Sequence, residues 1–433
     1  MIKKLLFIFV ALIAINSYGQ QNTASPYSFY GIGSLKFKGT VENRSMGGLS
    51  IFTDSIHLNL RNPASFTGNN LETFNNTARP VKYGVGATHT RTTLNSDSGS
   101  SEASSTSIDY LALNFPVGKF GFAFGLMPYT AVGYKLESVN ADGNLENRYT
   151  GDGGLNKVFL GGGYQISENL SFGINVQYNF GNIQNSSVAY IYDADGTPLQ
   201  YQSKENNRSD LSGLNVDLGL TYKTMITEKL QLVSGVTYTP QSNISSLNER
   251  SISTISTSNG REFNINTIPV DLEALGLDET DLVLPSKYSF GAGIGDPLKW
   301  FVGAEYNAQK TSSFSNALYS SNETTYEDAS GFALGGFYIP DYNAFSGFLN
   351  RVVYRAGIRY EKTGLRLKNE SINEFGMSFG VGVPVGSFFS NANLGVELGK
   401  RGTTNSNLIE ENFINVYLSL SLNDLWFQKK KYN

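Results

Sequence analysis

The sequence predicts an all-β protein, a transmembrane antiparallel β-barrel of about 14 strands with an N-terminal hatch, or plug, segment. Three observations predict this fold: apolar and small polar residues alternate along most of the chain, the alternating segments are even in number, and short and long connections follow one another between them. Bacterial outer-membrane barrels share these features, with large apolar side chains facing lipid, short periplasmic turns and longer extracellular loops.

The alternation is clearest in two segments. Residues 413–423 set Ile, Val and Leu between Asn, Tyr and Ser, and residues 170–180 set six apolar residues against Ser, Gly, Asn and Gln. Successive side chains of a strand point to opposite faces, so each segment has one apolar and one polar face. Because the polar face is small and amide-rich rather than charged, we expect it to line a lumen while the apolar face meets lipid.

Residues 1–19 are predicted to be a secretory signal peptide that is cleaved after Gly19. Lys3 and Lys4 precede an apolar run from Leu5 to Ile15, and small residues follow that run. A membrane-anchoring helix is the alternative, but a run of about a dozen residues is shorter than the ~20 that a spanning helix needs.

The composition narrows the classes of function. The chain has no cysteine, which excludes a lipoprotein anchor, a disulfide framework and a thiolate metal site. Its 25 tyrosines and 28 phenylalanines fit the aromatic belts of a membrane barrel. A net charge of -4 argues against nucleic acid as a partner.

The barrel is predicted over residues 78–427, and residues 428–433 are expected to form a periplasmic tail. An even number of strands is the rule for single-chain bacterial barrels. The fourteen predicted strands are residues 81–88, 108–115, 120–136, 157–164, 170–180, 214–222, 230–238, 288–294, 301–308, 332–338, 352–360, 375–383, 393–398 and 413–422.

The connections between these strands alternate in length, which puts both chain ends on the periplasmic side. Short turns are predicted at 116–119, 167–169, 225–229 and 296–299, and long polar loops at 92–106, 140–154, 182–210, 241–285, 311–326 and 403–407. The turn at 340–350 is longer than its periplasmic place predicts. The leucines of residues 270–282 predict a short amphipathic helix, either a ligand platform or a segment packed on the barrel rim.

Residues 20–77 lack strand periodicity and are predicted to form a hatch inside the barrel. They contain two clusters, residues 44–50 and 59–65. In the first, Gly47 and Gly48 allow another backbone to approach closely. In the second, Asn62 precedes Pro63, which favours an extended turn whose side-chain amide bonds the neighbouring backbone.

The triplet Asn62, Pro63 and Ala64, together with the glycine cluster before it and residues 284–293 in mid-barrel, resembles the outer-membrane long-chain fatty acid transporters of the FadL type. Residues 354–427 resemble the Bacteroidetes branch of that family. The resemblance implies a fourteen-stranded barrel with an N-terminal hatch. Classical members end on an aromatic residue of the last strand, whereas this chain continues through residues 428–433.

The resemblance also implies a kink in the third strand that opens the wall sideways toward lipid. The third predicted strand of this chain contains Pro128. A proline inside a strand removes a ladder hydrogen bond and occurs at bulges or edges. Pro128 is therefore a candidate gate, and the alternative is that it ends one strand near the rim.

Catalytic and metal chemistry find little support in the sequence. The only histidines are His57 in the predicted hatch and His89 near the top of the first strand. They show no arrangement with Ser and Asp that indicates a triad, and two distant histidines without cysteine form no metal-binding spacing. We therefore predict no catalytic residue, no metal and no cofactor.

Two basic residues of one predicted strand are candidates for ligand binding. If Tyr354 and Ile358 face lipid, Arg355 and Arg359 face the lumen, where they could receive a carboxylate. The alternative is that they pair with inward carboxylates of the wall, such as Glu305 or Glu397.

The leading functional prediction is passive uptake of hydrophobic or amphipathic, fatty-acid-like small molecules across the outer membrane. A shift of the hatch near Asn62 would admit the ligand, and lateral release by the third strand would deliver it to outer-membrane lipid. The alternative is a non-transporting barrel subunit or shuttle of a secretion or cell-surface assembly, with protein partners.

Overall fold

The computed structural model describes residues 23–54, 56–67, 81–258, 261–315, 324–344, 346–385 and 390–424. The predicted signal peptide, 1–19, and the predicted tail, 428–433, lie outside these residues. Within them, the strands are β1 Ser34–Leu35, β2 Val81–Ser96, β3 Gly99–Val117, β4 Phe120–Pro128, β5 Thr130–Val139, β6 Leu145–Gln165, β7 Leu170–Ala189, β8 Gln202–Met225, β9 Gln231–Thr239, β10 Ser242–Ser258, β11 Arg261–Pro269, β12 Glu279–Leu284, β13 Lys287–Asp296, β14 Trp300–Gln309, β15 Thr324–Tyr326, β16 Ala329–Tyr338, β17 Val353–Leu367, β18 Glu370–Pro384, β19 Asn391–Gly402 and β20 Glu410–Asp424.

Helical structure among the described residues is sparse. One α-helix, α1, covers Val41–Arg44, and short 3₁₀ turns cover Pro26–Phe29, Pro63–Phe66, Glu273–Leu275, Thr311–Ser313, Phe348–Arg351 and Asn405–Asn407. None of these helices is long and apolar enough to cross a membrane.

The strands form a closed antiparallel barrel of 14 wall strands, which confirms the predicted fold. Some wall strands are built from more than one piece: β4 and β5 make the third, β9 and β10 the seventh, and β11 to β13 the eighth. The last strand, β20, pairs with both β19 and β2 and closes the ring. Each predicted strand segment lies on one wall strand, to within a residue at its ends.

The two faces of the wall divide as the alternation predicted. Along β7 the polar side chains are buried inside the ring: Ser171, Asn175, Gln177 and Asn179. The apolar side chains between them are exposed on the outside: Phe172, Ile174, Val176, Tyr178 and Phe180. The outer surface of the barrel therefore carries the apolar band of a protein that spans a bilayer.

The predicted long loops were wrong in most places, because the strands continue through them. β2 and β3 meet in a two-residue turn where a loop had been predicted at 92–106, and β10 to β12 fill much of 241–285. Residues 270–282 form a 3₁₀ turn and the start of β12 rather than an amphipathic helix. Both faces of these extensions carry Ser, Thr and Asn, so the apolar alternation that marks strands in lipid is missing there.

The barrel has two unlike ends. One carries the connections 118–119, 166–169, 226–230 and 297–299 and the described parts of the longer connections after β16 and β18, and we call it the short-turn end. Both termini of the wall, Val81 and Asp424, lie at this end because they are register partners. The other end carries the extended hairpins, including β10 and β11, and we call it the hairpin end.

Candidate functional site

Residues 23–67, the N-terminal segment, pack inside the ring with backbone and side-chain atoms directly against wall glycines. A Cβ atom at any of these glycines would overlap the segment, so the missing side chains are what lets it approach. Glycines facing residues 62–67 are Gly121, Gly161, Gly163, Gly173 and Gly219, and those facing residues 45–47 are Gly335, Gly357, Gly380 and Gly395. These nine wall glycines thus make room for the close packing of the segment.

The Asn62 turn is fixed to the wall by its side-chain amide. The Oδ1 atom of Asn62 accepts from the Ala64 N–H at 3.0 Å and caps the 3₁₀ turn Pro63–Phe66. The Nδ2 group donates to the Leu220 carbonyl at 3.2 Å and to the Thr221 hydroxyl at 3.1 Å. Asn62 is buried, so the turn and strand β8 are held together by a fully used amide.

Gly47 and Gly48 end helix α1 and both have left-handed backbone angles, with φ of 71° and 92°. Gly47 lies against the backbone of Ile358 and Leu334 on β17 and β16, and its N–H donates to the Ser378 hydroxyl at 2.9 Å. Only glycine combines this backbone angle with this approach to the wall.

Buried carboxylates of the wall bind the basic residues of the N-terminal segment. Glu305 on β14 accepts from the Ser50 N–H at 2.7 Å and from Arg61 at 2.8 Å. Glu374 on β18 accepts from Lys38 at 2.7 Å. Because buried carboxylates need such partners, these pairs tie the segment to strands β14 and β18 of the wall.

The two predicted ligand-binding arginines lie in different surroundings, and both have protein partners. Arg359 pairs with Glu374 and, at 2.6 Å, with Glu397. Arg355 donates to the Asn393 side chain at 3.0 Å and faces the short-turn end. Arg359 therefore pairs with carboxylates of the wall, which is the alternative to ligand binding given above, whereas Arg355 donates to a neutral amide.

The third wall strand is interrupted after Pro128. β4 ends there with Pro128 opposite Asn156 of β6, and β5 resumes with Val132 opposite Gly153, so one residue is inserted. The Tyr129 N–H donates to the Leu155 carbonyl at 2.8 Å across the break. Pro128 thus stands at a bulge in the wall, the setting in which a strand tolerates proline.

The neighbouring strand β3 bends at a second irregularity. Its register with β2 shifts between Gly86 and Ala87, which leaves Asp109 unpaired in the ladder. The Asp109 carboxylate is buried, and it accepts from Arg44 at 3.5 Å. Strand β3 pairs with β4 only from Leu111 onward. Along residues 99–110, β3 therefore pairs with β2 alone among the described strands.

The N-terminal segment occupies the gap that these two irregularities leave between β3 and β5. Strand β1 pairs with β5, with Ser34 opposite Ala131 and Leu35 opposite Thr130. The Lys36 N–H donates to the Tyr129 carbonyl at 3.0 Å, and the Gly133 N–H donates to the Ser28 hydroxyl at 3.1 Å. In this gap the free edge of the wall is paired by the inner segment instead of by the next wall strand.

Two cavities lie behind β1 in the lumen. One of about 170 Å³ is lined by Tyr27, residues 30–35, Tyr129, Phe314 and Tyr326 and, on its charged side, by Lys38, Glu361, Glu374 and Arg401. The other, of about 120 Å³, is lined by Phe37, Arg44, Arg61 and three of the predicted site residues, Gly47, Gly48 and Arg359. Leu35 and Lys38 line both cavities.

The structure thus distributes the predicted site residues over four places. Gly47, Gly48 and Arg359 meet at one lumen cavity, Asn62 to Ala64 dock on β6 to β8, Pro128 stands at the wall gap, and Arg355 faces the short-turn end. Sequence reasoning missed β1 and the Asp109 bulge. The sequence did contain a signal for the Asp109 bulge, because Asp109 is an acidic residue inside an otherwise uncharged strand segment.

Comparison with known proteins decides the family. The BamG family model matches residues 1–433. The chain belongs to the BamG family. No curated protein matches the sequence of this BamG-family member.

Solved structures of low sequence identity share its fold. The toluene transporter TodX of P. putida has a TM-score of 0.58 at 17% identity, covering 90% of this chain and 99% of its own. The toluene transporter TbuX of Ralstonia pickettii has a TM-score of 0.55 at 13% identity, covering 89% and 98%. A FadL homologue of Pseudomonas aeruginosa has a TM-score of 0.58 at 11% identity, covering 90% and 99%. The BamG-family chain therefore has a FadL-type barrel fold.

Proposed function

We propose that this BamG-family barrel lies in the outer membrane and passively takes up hydrophobic or amphipathic small molecules, with the N-terminal segment as hatch and lateral release at Pro128. The observation that carries the proposal is the wall gap between β3 and β5, which among the described residues is covered by β1 and its neighbours Ser28 and Lys36, with the 170 Å³ cavity directly behind it. Toluene transport by two barrels of the same fold supports this reading.

The cavity size favours small apolar molecules in the conformation described. A protein cavity of about 150 Å³ can hold benzene, so a space of about 170 Å³ has room for a single aromatic ring beside the tyrosine and phenylalanine side chains of its lining. A long acyl chain would need the N-terminal segment to move, which is the part we assign to the hatch and to the Asn62 anchor. The similarity to a Bacteroidetes branch stays a prediction from the sequence.

Uptake of radiolabelled toluene into proteoliposomes tests the proposal. Leu35 lines both lumen cavities, so Leu35→Trp should fill them and reduce uptake to the level of vesicles without protein. Leu247→Trp, on an exposed site of β10, is the matched control and should transport normally. Equal uptake by both variants would remove the cavities from the route.

A second function, that of a subunit or shuttle in a secretion or cell-surface assembly, is favoured by the hairpin end. Strand β11 pairs only with β10 among the described strands, and Ile265 and Ile268 on it are 56% and 60% exposed. A free strand edge with exposed apolar side chains is a common place for another chain to pair. Protein that co-purifies stoichiometrically with the wild type and is lost from an Ile265→Lys, Ile268→Lys variant would favour this function over transport.

A further inference from the structure

The smaller lumen cavity, of about 120 Å³, is lined by a basic side chain that has no partner among the described residues. Five basic residues line this cavity: Lys38, Arg44, Arg61, Lys287 and Arg359. Four of them form ion pairs with buried carboxylates of the wall, on Asp109, Glu305, Glu374 and Glu397. The fifth, Lys287, forms neither a hydrogen bond nor an ion pair with any residue that the structure describes. Its positive charge is therefore available to a ligand in the cavity.

The side chain of Lys287 points into the lumen. Lys287 begins strand β13, and its neighbour Tyr288 is 47% exposed on the outside of the wall, so Lys287 faces inward. Three carboxylates act on its charge from a longer distance, and each is already bonded to other side chains: Asp217, Glu305 and Glu361. Because a charge removed from bulk water needs a counter-charge or hydrogen bonds, Lys287 is complementary to an anion.

Two amide side chains of β14 add hydrogen-bond donors beside Lys287. Gln309 is the register partner of Lys287, so their Cβ atoms lie about 5 Å apart, and its amide bonds no described residue. Asn307 accepts from Arg61 at 2.9 Å through Oδ1, which leaves its Nδ2 group as a donor without a described partner. Both side chains line the cavity, and neither amide is closed off from it. A cation and two amides thus line the same cavity.

The larger lumen cavity adjoins this site and supplies an aromatic lining. Gln309 and Leu35 line both cavities. The aromatic side chains of the larger cavity include Phe314 and Tyr326, whose rings are in tilted contact with 4.9 Å between their centroids. Aromatic pairs gain energy beyond the burial of their area. A molecule with its anionic group near Lys287 can therefore place an aromatic ring beside these two rings.

We propose that the two lumen cavities together bind an aromatic carboxylate, such as a phenylalkanoate. The carboxylate accepts hydrogen bonds from the Lys287 ammonium and from the amides of Asn307 and Gln309, and the ring packs against Phe314 and Tyr326. The inference rests on the function proposed above, because the ligand uses the same lumen route. It narrows the substrate class from hydrophobic molecules in general to anions that carry one aromatic ring.

Titration calorimetry of the full chain in a non-ionic detergent tests the proposal with three probes. They are 3-phenylpropanoate, its neutral analogue 3-phenylpropanamide, and nonanoate, an aliphatic anion with as many carbon atoms. The wild type should bind 3-phenylpropanoate about tenfold more tightly than the amide, because hydrogen bonds to a charged group are about twice as strong as neutral ones. It should bind nonanoate about threefold more weakly, because the ring contacts are missing. An amide that binds as tightly would overturn the anion site, and nonanoate that binds as tightly would overturn the aromatic class.

Substitutions at two residues locate the site. Lys287→Met removes the ammonium at similar length and should lower the affinity for 3-phenylpropanoate to that for the amide, whereas Lys287→Arg keeps the cation and should keep the preference. Asn307→Asp keeps the oxygen that accepts from Arg61 and puts a negative charge beside Lys287, so it should also abolish the preference. Lys400→Met, at an exposed lysine that pairs with Glu410 at 2.6 Å, is the control and should bind like the wild type. An unchanged preference in both Lys287→Met and Asn307→Asp would contradict the assignment.

Toluene uptake by the wild type separates this inference from the proposed function. Uptake of toluene by a protein that shows no preference for 3-phenylpropanoate would overturn the inference and leave transport intact. Selective binding of 3-phenylpropanoate by a protein that takes up no toluene would support the anion site and contradict the proposed function.

Discussion

Asn62 connects local and tertiary structure through one side chain, because it caps its own 3₁₀ turn and bonds strand β8 with the same amide. Its Oδ1 atom serves Ala64, and its Nδ2 group serves Leu220 and Thr221. The sequence indicated the first of these roles, since Asn before Pro favours such a turn. It could not indicate the second, because the partners lie about 160 residues away in the chain.

Replacing Asn62 by alanine should loosen the N-terminal segment without unfolding the barrel. The change removes a cap and leaves the Thr221 hydroxyl and Leu220 carbonyl without this donor, at a cost of about 2 kcal/mol. Hydrogen exchange of residues 56–67 should report the loss. Asn62→Asp keeps the cap acceptor and removes only the donors, so its exchange should fall between the wild type and the alanine variant; equal exchange in all three would show that the wall contacts contribute nothing.

Lys36, next to β1, should make the stability of the segment depend on pH. Burial lowers the pKa of Lys36 to about 8, with Asp109 opposing the shift and Arg44 and Arg401 adding to it. Below pH 8 the folded chain holds a charge that burial disfavours, and as the pH rises toward the ordinary lysine pKa this cost disappears.

Lys36→Met should therefore stabilise the protein at pH 7 by roughly 3 kcal/mol, and this advantage should shrink between pH 8 and pH 10.5. Thermal unfolding of both proteins across this range, compared as a difference, checks the sign. A variant that is less stable at pH 7, or an advantage that grows with pH, would contradict the placement of Lys36.

At the scale of elements, the alternation of apolar and polar residues located all fourteen wall strands but not their lengths. Apolar residues alternate with polar ones only where one face of a strand meets lipid. The alternation therefore stops where β7, β8 and β10 extend beyond the apolar band, although these strands continue there with Ser and Thr. The bulges at Asp109 and Tyr129 could not be predicted from pattern, because a bulge is defined by the partner strand. The glycines of the wall and a segment inside the barrel could both be predicted from the sequence, but not that residues 45–47 and 62–67 are the parts of the segment that pack on these glycines.

Gly357 offers a test of that packing. A side chain there would overlap Met46 and Gly47, so Gly357→Val should displace helix α1 and the residues after it at a cost of about 1–3 kcal/mol while the barrel still forms. Faster hydrogen exchange over residues 41–50, with unchanged heat-modifiable migration on a gel, is the expected result. Gly162→Val, at a wall glycine with no atom within 4 Å of the added Cβ, is the control and should exchange like the wild type.

At the scale of the whole molecule, the barrel wall includes one strand, β1, that comes from the N-terminal segment. Around the ring each described wall strand pairs with its neighbours, except where β3 and β5 diverge and β1 takes the place of a wall partner. β1 offers only two paired residues to β5, whereas the long wall pairs run over many, so this is the weakest seam of the closed ring. In the proposed route, a molecule in the lumen cavities leaves for lipid through this seam.

A reversible lock on this seam tests the lateral route most directly. The chain has no cysteine, so Ser34→Cys with Ala131→Cys places a single disulfide between register partners of β1 and β5. Thr237→Cys with Ser289→Cys, a pair in the continuous wall whose side-chain oxygens are 2.6 Å apart, is the matched control. We predict that oxidation stops toluene uptake by the first variant, that reduction restores it, and that the control transports in both states; undiminished uptake through the oxidised β1–β5 lock would contradict the lateral route.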